Sequence, residues 1–175
     1  MVRDFSAGEG FSYRGASDHF KGGDWIITNL VDAVAKGGNF MPAIGPDITG
    51  KFDPEAIREF EAAGTWLKTN GEAIYATRPR EGQLWKQGDD IRFTRSKDNK
   101  TVYAICLKWP GRTLTLKSVR PAAGAVITLL GGAEPLKWKD DPAAGLRIEI
   151  PAQVQDEKSR PCQRAWALRI TPVQP

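Results

Sequence analysis

A five-residue apolar run, Phe40 to Ile44, is fenced by Gly37-Gly38 on one side and Gly45-Pro46 on the other. That is the length and punctuation of one short buried strand. Ahead of it, Ile27, Leu30, Val31 and Val34 recur at helical spacing and predict a helix from about Trp25 to Lys36, with Asp24 as its cap. The double glycine stops that helix, since glycine takes the left-handed closing position without a Cβ penalty. Beyond the strand, "DITGKF" reads as a loop, Asp53 is a good N-cap and Pro54 occupies the favoured first helical position. Ile57, Phe60, Gly64 and Leu67 mark one face of a second helix, to about Thr69, which Asn70-Gly71 ends. Helix, strand, loop and helix in this order form part of a parallel α/β fold. A parallel strand is normally flanked by others and covered on both faces. One strand with two helices has too little core to stand alone, so the unit is expected to complete something larger. Pro42 inside the run removes a ladder donor and predicts a bulge or an edge position there.

Near residue 80 the pattern changes from helical to short strands. Apolar-rich runs recur at Ile91 to Thr94, Thr101 to Leu107, Thr113 to Val119, Ala125 to Leu129, Leu146 to Ile150 and Ala165 to Ile170. Turn clusters such as "SKDNK", "WPGR" and "DPAAG" separate them, and Leu146, Ile148 and Ile150 alternate with period two. This is the pattern of an antiparallel β-sandwich. At roughly 90 residues it is large enough to fold by itself. The fold class expected is therefore α/β plus all-β. Unpaired strand edges and apolar faces promote aggregation. A chain starting near Arg80 is accordingly expected to be more soluble than the whole.

Composition narrows the function classes. A hydrophobic fraction of 41% is that of a globular chain. The net charge of +4 arises from Lys and Arg interleaved with Asp and Glu, with no basic run among aromatics, so no nucleic-acid partner is expected. No apolar segment approaches the roughly 20 residues of a membrane span, so no membrane partner is expected either. The opening "MVRDFSAGEG" lacks the apolar core of a signal peptide. Cys106 and Cys162 are too few for a disulfide framework and lack metal-site spacing; Cys106, inside an apolar run, reads as a buried thiol, with a bridge to Cys162 as the alternative. The single histidine, His19, reads as a loop residue and cannot assemble a His-based metal site. "GEGFSYRG" lacks the glycine spacing and the Lys-Ser/Thr ending of a phosphate loop. No metal or cofactor is expected.

Five segments, "LVDAVAKGGNF", "IGPDITGKF", "WLKTNGEAIYATRP", "IRFTRSKDNKTVYAICLKWPG" and "LLGGAEPLKWKDDPAAGLRIEIP", occur in this order. Together they resemble the C-terminal part of an α-L-fucosidase of glycoside hydrolase family 29, from about Phe11 to Ile170. In that family a (β/α)-type barrel carries catalysis and a C-terminal β-sandwich packs against it. The resemblance implies that residues 1–80 are the C-terminal end of the barrel and residues 81–175 the sandwich. It also implies that the missing neighbours of Phe40 to Ile44 are earlier barrel strands lying upstream of Met1. The chain departs from the family at Ala43, where asparagine is usual, and at Met41 and Pro42, where leucines are typical.

The resemblance implies an exo-acting, retaining hydrolase of terminal α-linked L-fucose, with fucosylated glycans as partners. Retention needs two carboxyl groups about 5–5.5 Å apart, one a nucleophile and one an acid/base. The family's nucleophile is an Asp on an earlier strand, outside this chain. Its acid/base Glu would fall near Val2, where no carboxylate stands; Glu9 is the nearest Glu, at the wrong spacing. No catalytic residue is therefore assigned, and the chain alone is expected to be inactive. Tyr13 and Arg14 match an aromatic and basic pair of the family, and Phe20 falls where relatives place an aromatic. An aromatic face suits the apolar side of a deoxysugar. The competing reading has all three packing the top of the barrel. Asp47 reads as a turn residue, Asp53 as the cap, and Glu72 as a junction residue. Trp66, Trp85, Trp109, Trp138 and Trp166 admit a second function, a sandwich that binds carbohydrate as a non-catalytic accessory module. A third is a family member that has lost catalysis. Relatives are commonly secreted, periplasmic or lysosomal.

Overall fold

The computed structural model describes residues 1–6 and 19–174. Among these the elements run β1 (Val2–Asp4), α1 (Gly22–Ala35), β2 (Met41–Ala43), α2 (Pro54–Asn70), β3 (Arg78–Pro79), β4 (Lys86–Gln87), β5 (Ile91–Arg95), β6 (Val102–Cys106), β7 (Thr113–Leu116), β8 (Pro121–Leu129), β9 (Trp138–Asp141), β10 (Gly145–Glu149) and β11 (Trp166–Val173).

Both expected helices form. α2 opens as its sequence dictates: Asp53 Oδ1 accepts the Glu55 N–H at 2.8 Å, with Pro54 in the first position. α1 starts earlier than expected, and Asp24 is not its cap. Glu59 of α2 instead accepts the Gly23 N–H at 2.5 Å, which frees Asp24, in the first turn, to pair with Arg164. A carboxylate from a distant helix has taken the role of the local one. The C-terminus closes as foreseen: Gly37 has φ of +83°, and the Gly38 N–H donates to Ala33 O at 2.8 Å.

β2 pairs in parallel with β1, Asp4 lying opposite Ala43. The remaining strands build two antiparallel sheets. One holds β3, β5, β6, β11 and β8 in that order with β4 also on β5; the other is β7-β10-β9. Their inner faces enclose Phe93, Ala104, Leu116, Ile127, Leu146, Ile148, Leu168 and Ile170.

The outer face of the larger sheet is covered as well. Tyr103, Ile105, Leu130, Ala165 and Ala167 form a second core with Ile26, Ile27 and Val31 of α1 and Ala63 and Trp66 of α2. Alternation along β6 sends Val102, Ala104 and Cys106 to the first core and Tyr103 and Ile105 to the second, so all five residues are buried. The helices thus supply the cover for the second face of β6, which the expectation of a sandwich large enough to fold by itself left out. Polar contacts pin the junction. Trp66 Nε1 donates to Ala165 O at 2.7 Å, and Asn70 Oδ1 accepts the Ala167 N–H at 3.2 Å. Thr94 Oγ1 donates to Ala73 O at 2.7 Å, and Arg92 Nε to Asp32 Oδ1 at 2.8 Å. Neither described helix is long and apolar enough to cross a membrane.

Candidate functional site

The parallel pair β1–β2 sets the site. Phe5, next after β1, is fully buried toward the helices, with ring centroids 5.1 Å from Phe60 and 6.0 Å from Trp25. Strand alternation therefore turns Asp4 and Ser6 to the opposite face. On β2 the flanking Phe40 and Ile44 pack on the helix side, so Met41 and Ala43 share the face of Asp4. Met41 is 58% exposed there. Parallel α/β folds place their chemistry at the C-terminal ends of strands. Asp4 and Ala43 occupy that end.

Asp4 is half-buried, and its two oxygens differ. Oδ1 accepts the Ser6 N–H at 3.2 Å, whereas Oδ2 is buried with no hydrogen-bond partner among the described residues. A buried carboxylate oxygen without a donor is uncommon and calls for one. A ligand hydroxyl, or a donor from a neighbouring strand, would supply it. Nothing in the sequence marks Asp4; its one signal is the alternation against Phe5 in "RDFS", legible only once that segment is known to be a strand.

Glu9, Tyr13 and Arg14 lie outside the described residues. Phe20 is half-buried at the same strand end, its backbone bridged to Ser6 and its ring stacked on Phe5 at 5.4 Å. His19 is exposed. Asp47 Oδ1 is taken up by its own turn, accepting from Thr49 Oγ1 and N at 2.7 Å and from Lys51 N at 2.9 Å. The Thr49 hydroxyl first, and then the turn amides, hold its carboxyl below the usual carboxylate range. Glu72 serves the junction, accepting from Tyr103 Oη at 2.9 Å with Arg169 beside it.

The tryptophans do not assemble one open platform. Trp66 and Trp166 are buried, on different cores, and each donates its indole N–H to a backbone carbonyl. Trp109 packs edge-on to Trp166 at 5.1 Å, with the Arg160 guanidinium over both rings, and Trp138 packs on the first core. Trp85 stands apart, ringed by Lys36, Lys86 and Arg92.

Burial disfavours the thiolate at both cysteines. Cys106 is buried, and desolvation, with the Asp90 charge adding to it, pushes its thiol up to about 12. Burial also raises the Cys162 thiol, and both cysteines are free. Among the described residues no three His, Cys, Asp or Glu side chains gather as metal ligands.

Two family profiles match the chain. The one described as alpha-L-fucosidase covers residues 2–72, and the one described as alpha-L-fucosidase C-terminal domain covers residues 86–171. Tissue alpha-L-fucosidase of Homo sapiens is 38% identical over 149 residues, 85% of this chain and 31% of that protein. Alpha-L-fucosidase of Branchiostoma floridae is 35% identical over 151 residues, 86% of this chain and 33% of that protein. The crystal structure of Thermotoga maritima alpha-fucosidase superposes with a TM-score of 0.77 at 26% identity, over 97% of this chain and 38% of that one. The chain thus spans about a third of the length of the curated relatives it matches.

Proposed function

Because the chain belongs to the α-L-fucosidase family through both of its regions, we propose that it serves a retaining exo-α-L-fucosidase acting on fucosylated glycans. In this reading residues 1–80 supply the end of the catalytic barrel and residues 81–175 the C-terminal β-sandwich. The observation that carries it is the parallel β1–β2 pair, which turns a polar strand end away from the helices and leaves β2 with one partner strand among the described residues.

The hydrolysis itself needs a nucleophilic carboxylate to form a glycosyl-enzyme and an acid/base to protonate the leaving oxygen and then activate water. The barrel strands that would complete the fold are the proposed source of the nucleophile. Within this chain the role is one of binding and support. Tyr13 and Arg14 are proposed to contact the sugar, with Phe20 backing them at the strand end. Asp4 is proposed to accept a substrate hydroxyl at Oδ2, orienting the ring. Glu9 is the nearest Glu to the acid/base position and is the residue to exclude first.

The test is an assay on an aryl α-L-fucoside. The 175-residue chain is expected to give no turnover above buffer. Where its coding sequence continues upstream, the longer product is expected to turn over with retained anomeric configuration, read by NMR. In that product Asp4→Asn is expected to lower kcat/KM by about tenfold or more without shifting the unfolding midpoint. A folded longer product that is inert on fucosides overturns the reading. Turnover by the 175-residue chain alone, lost in Glu9→Gln, would assign catalysis to Glu9 instead.

A further inference from the structure

The sheet β7-β10-β9 turns one face to the core and one to solvent. Along β10 the division is strict: Leu146 and Ile148 are buried, and Arg147 and Glu149 are exposed. On the open face the register sets Thr115, Arg147 and Lys139 side by side across the three strands. At ordinary strand spacing that row spans about 10 Å. Neither Arg147 nor Lys139 has a carboxylate within ion-pair distance among the described residues. Like charges directly opposite each other weaken a strand pair, so the stability of the sheet does not account for the row.

The neighbouring position on β10 is bare. Gly145 has φ of +105°, and a Cβ there would stand 2.7 Å from Leu116 O, so only glycine fits. Opposite it, Asp141 is fixed in orientation because its Oδ1 accepts the Ala143 and Ala144 N–H groups at 2.8 and 3.0 Å. The result is a shallow concavity of about 320 Å3, floored by Gly145 and lined by Thr113, Thr115, Lys139, Asp141 and Arg147.

We propose that this concavity binds an acidic sugar unit of a carboxylated or sulfated polysaccharide. The two cations supply attraction for the acidic group. The threonine hydroxyls and the oriented Asp141 carboxylate match ring hydroxyls, which donate as well as accept. No aromatic side chain lines the concavity, so it lacks the stacking surface on which single-stranded nucleic acid is held. The site is independent of fucoside hydrolysis, and its test uses no fucoside.

Binding of the 175-residue chain to immobilised heparin and to immobilised polygalacturonate is measured at fixed ionic strength. Saturable binding to at least one polymer is expected. Arg147→Glu and Lys139→Glu are each expected to raise Kd about tenfold. Lys97→Glu, the same charge change in the turn between β5 and β6, is expected to leave Kd within about twofold. Binding to heparin alone identifies a sulfated unit, and binding to polygalacturonate alone a carboxylated one. The proposal is overturned if neither polymer binds saturably or if Lys97→Glu weakens binding as much as the other two. Displacement by oligo-dT as effective as by soluble heparin also overturns it.

Discussion

At the residue scale, Tyr103 shows how the junction couples to pH. Its ring is buried in the second core and its hydroxyl donates to Glu72. Burial first, and then the bond to Glu72 and the charge on it, push the phenol up to about 12 from an ordinary value of 10. A group whose folded value is raised contributes stability that is complete below the unfolded value and lost as pH rises through the folded one. Unfolding free energy is therefore expected to fall between about pH 10 and 12, and Tyr103→Phe to flatten that fall, as measured by urea unfolding across this range. An unchanged slope in Tyr103→Phe would refute the assignment and leave the loss to Cys106, whose raised thiol acts with the same sign. Single residues were unevenly legible beforehand. Asp53 was plain because its cap, proline and helix are contiguous. Asp24 was misread because the group that replaced it, Glu59, lies 36 residues from the Gly23 N–H it accepts. Asp4 was hidden, since a three-residue strand is too short to show a period and the alternation against Phe5 reads only once the strand is known.

At the element scale, the attachment of α2 to β11 rests on a few specific groups. Asn70 is fully buried at the last turn of α2; its Oδ1 accepts the Ala167 N–H and its Nδ2 donates to Trp66 O at 3.3 Å. Asn70→Ala would leave the Ala167 N–H buried without an acceptor, at a cost of about 1–3 kcal/mol. Urea unfolding should register about that loss, and the thermal midpoint should drop by several degrees. A change below about 0.5 kcal/mol would mean that the strand end finds another acceptor. The elements best read from sequence are those with a full period or a hard stop. α2 has both, and β10 alternates cleanly. β6 reads as a continuous apolar run because both of its faces are buried. β3 and β4 have two residues each, and β9, "WKDD", carries charges on both of its faces, so none of the three carries a readable pattern.

At the scale of the whole molecule, two apolar faces compete to set solubility. The first lies beside β2, where Ile44, Phe52, Ile57 and Phe60 line an open apolar hollow of about 440 Å3 and Phe52 and Ile57 are exposed. That face is the basis for expecting a chain shortened to 81–175 to be the more soluble. The second face is the outer side of the larger sheet, now covered by α1 and α2. Removing residues 1–80 would bare Tyr103, Ile105, Leu130, Ala165 and Ala167 together, in a contiguous patch at present buried. It would also strand the Ala167 N–H and the Ala165 carbonyl, which Asn70 and Trp66 now satisfy. The shortened chain thus loses the first patch and gains the second, on central strands rather than at a rim. Fully buried side chains contribute about 1.5–3 kcal/mol each when large and apolar, so the exchange favours the whole chain. The expected sign is therefore the reverse of the one the sequence suggests: residues 81–175 alone should bind a hydrophobic dye, self-associate and unfold at a lower midpoint. In the intact chain, hydrogen exchange should find α2 protected to an extent comparable with β6 and β11, since the three share one core. A monodisperse 81–175 monomer with an unchanged unfolding midpoint, or α2 amides exchanging as in an unfolded peptide, would show that the second core is a contact without energetic weight. The sequence could not weigh these faces, because what covers β6 is decided by residues 30 to 80 positions upstream, and no local period records that pairing.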